Sequence, residues 1–282
     1  MRNSRALATT TLLAFSTLCA FAQDAATPEA INTFVQTYAA PTAKLEKIPR
    51  WEYPVCPTTV GLAPNYAKFI NDRVKKVAAD IGAPVDPDPN CNSNIDIVFT
   101  TTPQALMDGI RQKNPVYLGY YDSSSQADAL AKVVHPIQSW YTTETRDVRG
   151  KPMIDSRNTR TTSTAVGSGS VSSTGSHLTD GLRSAFYHAV IVADPGKLDF
   201  EMGAIADQIA MLALSQPASR NTCYGLPSIA NLTTPNCGKP QPALTKSDAA
   251  YLTGLYKINL GGALRGQRDA IAFQMRSALA SN

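Results

Sequence analysis

Hydrophobic positions follow two rhythms along this chain, one near 3.6 residues and one of two, and together they predict a string of helices and strands. Ile31, Phe34, Val35 and Tyr38 share one helical face, behind a Thr27-Pro28-Glu29 start that suits an N-cap and first turn. Residues 48–62 read as a short strand inside proline-broken chain. A longer helix is predicted over 65–81. Tyr66, Phe69, Ile70, Val74, Val77, Ala78 and Ile81 form its stripe, and Gly82 stops it.

Strands are expected at 95–101, 117–121 and 137–143, with helices at 104–113 and 127–134 between them. The strongest strand is 182–194. Phe186, His188, Val190 and Val192 face one way and Tyr187, Ala189, Ile191 and Ala193 the other, as in a strand covered on both sides. A helix over 199–215 is apolar nearly all round and so belongs inside the domain. Thr245 and Asp248 resemble a capping box that starts another helix, and a last one spans 263–280. The fold class is α+β: a mixed twisted sheet with a long helix after the first strand and a buried helix after the last.

Composition fills in the organisation. The chain has 282 residues, is 43% hydrophobic and 17% charged, and carries a formal charge of +4. That is enough apolar material for a core and too little clustered positive charge for a nucleic-acid binder. Residues 1–22 open with Arg2 and Arg5, continue through an apolar run from Ala6, and end in Ala20-Phe21-Ala22. This is the pattern of a secretory signal peptide, too short in its apolar part to span a bilayer. Leu18 before Cys19 speaks against a lipoprotein. No later window has the length of a membrane span. Residues 23–45 then form an N-terminal helix and linker, and 46–282 one domain. That domain carries a Ser/Thr/Gly-rich insertion at 159–181, in which 14 of the 18 residues 159–176 are Ser, Thr or Gly. The expected location is periplasmic or extracellular.

Cys56, Cys91, Cys223 and Cys237 remain after signal cleavage, an even set that should pair in an oxidising compartment. Three pairings are open; the nearest-neighbour one, Cys56–Cys91 with Cys223–Cys237, is preferred. The spacing contains no C-x-x-C, so a zinc finger is excluded. The Asp86-x-Asp88-x-Asn90 loop lacks the glycine and the distal glutamate of a calcium loop, because Cys91 and Ile97 stand there. No phosphate-binding glycine loop and no G-x-S-x-G elbow occurs. No metal or cofactor is expected.

From residue 55 onward the order of elements resembles the metzincin branch of zinc peptidases, matrixin-type in particular, and also exported proteobacterial proteins. The carriers are 206–214 where that family has H-E-x-x-H and x-L-G-L, Pro227-Ser228-Ile229-Ala230 at its S-I-M turn, and Leu244-Thr245, Asp248 and Leu255-Tyr256 in the helix that follows. The resemblance implies a zincin-like fold and departs from it at the chemistry. Ala206 and Ala210 occupy the two ligand positions, Asp207 the position of the general base, and Ala230 that of the turn methionine; no histidine follows His188. Methyl groups donate no lone pair, so the resemblance implies a scaffold that has lost its zinc.

Of the other candidates, His135 reads as a turn residue, His177 as a solvated residue of the insertion, and His188 as a core histidine and a weak catalytic candidate. Asp207 on an apolar helix requires a partner, because an unpaired buried carboxylate is costly. Trp51, Trp140 and the tyrosines read as core and sheet aromatics that could line a groove. The leading expectation is a non-enzymatic exported protein that binds a peptide, a glycan or an envelope protein. A hydrolase using His188 or His135 is the alternative, and an envelope component without a discrete site is a third reading.

Overall fold

A computed structural model describes residues 26–156, 180–218, 223 and 225–281. The expected leader at 1–22, most of the Ser/Thr/Gly insertion and His177 lie outside the described residues. Helices and strands fall as α1 (Pro28–Tyr38), β1 (Pro57–Val60), α2 (Pro64–Asp80), β2 (Ile95–Phe99), α3 (Pro103–Lys113), α4 (Ser124–Leu130), β3 (Ile137–Arg146), β4 (Pro152–Ile154), β5 (Arg183–Ala193), α5 (Met202–Leu214), α6 (Lys246–Lys257) and α7 (Leu264–Ala280). The fold is mixed α and β, with one five-stranded sheet in the order β1-β2-β5-β3-β4. β1, β2 and β5 run parallel, and β3 is antiparallel to both β5 and β4.

β5 is covered on both faces, but Phe186, expected on the side of Val190 and Val192, joins the main core instead, because the strand bulges at Tyr187. Ala189, Ile191 and Ala193 enter the main core, with α1, α2, α5, α6 and α7. Val190 and Val192 enter a smaller core, with Trp140, Met107, Leu118 and Ala127. The pairing slips between Thr142 and Thr143: Thr142 stands opposite His188 and Thr143 opposite Phe186, so Tyr187 has no cross-strand partner and is 40% exposed. α1 is part of the main core. Phe34 and Tyr38 set their rings edge-on against Tyr251 of α6, at 5.7 and 4.9 Å between centroids.

Two expectations are corrected. Residues 117–121 do not form a strand. Pro115–Leu118 is a 3-10 turn, in which Tyr117 N–H donates to the Asn114 carbonyl and Gly119 N–H to that of Val116. Proline pre-sets the tight φ at its start and Gly119, at φ +89°, ends it. The helix expected at 127–134 begins earlier and ends earlier, because Ser123 and Gln126 close a capping box ahead of it. The predicted box of Thr245 and Asp248 is present.

Both disulfides of the nearest-neighbour arrangement are present. Cys56–Cys91 ties the start of β1 to the loop after α2, and Cys223–Cys237 closes a loop before α6. They fit a chain that matures in an oxidising compartment. Among the described residues no helix is long and apolar enough to cross a membrane.

Candidate functional site

β3 is only partly covered on its side away from β5. Asp194 N–H donates to the Pro136 carbonyl across to β5, whereas the Thr143 carbonyl accepts from Asp155 on the opposite side. With a backbone period of two, Ile137, Ser139 and Tyr141 therefore aim their backbone groups at the side away from β5. β4 covers that side only along Glu144, Thr145 and Arg146. Among the described residues no strand flanks Ile137 to Tyr141 on the side away from β5, where Gly119 closes on the Tyr141 carbonyl and the Thr143 carbonyl is already paired with Asp155.

Two adjoining cavities follow this stretch, of about 200 and 400 Å3, and they share Ala43, Tyr120 and Leu130. Ser139, Trp140 and Tyr141 form the strand wall of the first; Tyr121, Asp122 and Gln126 border the second. The walls are fixed from behind. Trp140 Nε1 donates to the Leu130 carbonyl at 2.7 Å, and the Tyr141 hydroxyl sits 2.7 Å from the Leu212 carbonyl at the end of α5. Thr142 Oγ1 donates to Val116, which holds the 3-10 turn against the strand. At Gly119 a Cβ would come within 2.6 Å of the Tyr141 carbonyl oxygen, so only glycine lets this loop close so near the strand.

Ala206 and Ala210 lie elsewhere. Both are fully buried in the main core, and neither lines the cavities beside β3. Asp207, between them, is 2% exposed and has the partner it requires. Arg73 of α2 grips it through Nε and Nη2, and Leu244 N–H donates to Oδ2 at 2.7 Å. The carboxylate in turn raises the pKa of the Arg73 guanidinium.

His188 points to the smaller core. Its Nε2 is 3.3 Å from Asp96 Oδ2, its ring lies 4.7 Å from that of Tyr117, and its Nδ1 is buried without a hydrogen-bond partner. The hydrogen bond from His188 holds the Asp96 pKa below the usual carboxylate value, with Ser93 as a second donor at 2.7 Å. Ser93 thus bonds to the acid and not to the imidazole, and among the described residues no hydroxyl or thiol bonds to His188. His135 precedes the β3 residue opposite His188, Thr142, by seven positions, roughly 20 Å of extended chain. The two histidines do not meet.

Trp51 is core, with Nε1 donating to the Ala213 carbonyl, while Trp140 serves both core and groove. The sequence did not single out Ala43, Gly119, Ser139 or Leu130. The signal available was the run Tyr117-Leu118-Gly119-Tyr120-Tyr121 shortly after Pro115, which reads equally as strand.

One charged network was also missed. Arg146 and Arg183 stand directly opposite on β3 and β5, and Glu52 bridges them at 3.1 and 2.7 Å. Glu144, 1% exposed, pairs with Arg146 at 2.5 Å, yet burial pushes its pKa up. Every charge in the network is opposed by another. Among the described residues no three His, Cys, Asp or Glu side chains are grouped to hold a metal ion.

Comparison with protein-family models, with curated proteins and with solved structures gave no match.

Proposed function

We propose that this is an exported, non-catalytic binding protein of the periplasm or the extracellular space, and that it takes an extended peptide segment along the open side of β3. The observation that carries this reading is the stretch from Ile137 to Tyr141, which among the described residues has no strand on its side away from β5 and runs beside a fixed groove. An extended peptide gains backbone hydrogen bonds there and lays alternate side chains into the cavities. Neither step needs a metal or a nucleophile.

The scaffold is read as a metzincin-like one that has lost its zinc. Support comes from a contact between two of the stretches that carry the resemblance. Asp248 accepts from Ser228 Oγ at 2.5 Å and from Ile229 N–H at 2.8 Å, so the Ser-Ile turn and the helix after it are joined. Further support is that methyl groups, not imidazoles, fill residues 206 and 210.

The test is a displayed peptide library panned against the purified protein. Ser139→Pro removes an outward N–H without touching the β5 ladder, a placement that proline tolerates on an edge strand. Enriched peptides should bind the parent and lose most of their affinity for the variant, with circular dichroism unchanged. Equal binding to both, or no enriched peptide, sinks the reading. Tightly held stoichiometric zinc or peptidase turnover would sink its non-catalytic half.

A further inference from the structure

A separate cavity of about 490 Å3 opens where the chain passes from β5 into α5. That volume is within the range of about 300–1,000 Å3 usual for small-molecule sites. Leu198, Phe200, Met202 and Leu232 give it an apolar lining, packed onto the main core from behind. Asp199 and Glu201 alternate with the first three and complete the wall on that side.

The charge is one-sided. No Lys, Arg or His is among the lining residues. Of the two lysines next to lining residues in the sequence, Lys197 lies 3.4 Å from Asp194, and Lys239, before Pro240, is exposed to solvent. Glu201 is the N-cap of α5, but its side chain makes no capping bond to the helix. The helix start contributes only about half a positive charge. Two carboxylates outweigh it, so the rim is net negative over an apolar floor.

We propose that this cavity binds a small amphipathic organic cation. The ammonium head sits by Asp199 and Glu201, where the face of Phe200 adds an attraction specific to a cation. The hydrocarbon body lies on Leu198, Met202 and Leu232. The site shares no residue with the β3 groove and does not depend on the peptide reading.

Isothermal titration calorimetry with hexyltrimethylammonium, hexanol and hexanoate tests it on the purified full chain. The ammonium should bind, weakening as salt rises, and hexanoate should not. Asp199→Asn with Glu201→Gln, both at exposed positions, should weaken the ammonium about tenfold and leave the melting temperature unchanged. Phe200→Leu keeps an apolar wall and should also weaken it. Equal binding of hexanoate, an unchanged affinity in the double variant, or no binding at millimolar ammonium overturns the proposal.

Discussion

Asp207 shows how one side chain can look like a remnant of chemistry and act as a joint. Its carboxylate ties α5 to α2 through Arg73 and to the approach of α6 through Leu244. Removing either partner leaves a buried polar group short of bonds. Asp207→Ala should therefore cost about 2–3 kcal/mol in urea denaturation, and Arg73→Ala at least as much, since it strands the buried acid. Glu144 makes a different prediction. Its pKa is raised above the ordinary 4.5, so the folded state holds a proton that the unfolded state has released. That contribution is full below pH 4.5 and fades as pH rises through the raised value. Relative to Glu144→Gln, the parent should lose stability as pH climbs from about 4.5 toward neutral. Parallel stability curves for the two proteins would contradict the assignment.

At the level of elements, legibility tracked the number of residues that share one instruction. α2 was readable because seven apolar positions repeat along one face, although Tyr66 and Phe69 at its start stay exposed; α5 was readable because it is apolar nearly all round, and β5 because both of its faces are apolar. β4 has three residues and no pattern of its own; it exists because β3 lies beside it. The 115–118 turn carries Val116 and Tyr117, which suit a strand, and local proline and glycine geometry overrode them. The groove was hidden for the same reason: its far wall is built from that misread stretch. Two substitutions test these local devices by thermal denaturation. Ser123→Ala should cost about 1 kcal/mol by opening the capping box of α4. Gly119→Ala should cost about 1–3 kcal/mol, because it combines a left-handed φ with a clash at the Tyr141 carbonyl. It should also push the 3-10 turn off β3 and impair peptide binding there.

For the molecule as a whole, the bridges and the central helix set the limits. Cys56–Cys91 spans a separation of 35 residues and Cys223–Cys237 one of 14, so deleting the first should cost about 1 kcal/mol more than deleting the second. Paired serine variants compared in guanidinium would measure that difference. α5 is enclosed on every side: each residue from Ala204 to Leu214 is buried. Its small side chains are therefore a packing decision as much as a chemical one, for methyls let α5 sit deep. Placing imidazoles at both Ala206 and Ala210 should overfill that space and destabilise the domain by about 1–3 kcal/mol per site before any ion arrives. Any larger polar side chain on this face of α5 would first require the surrounding elements to be rebuilt to make room for it.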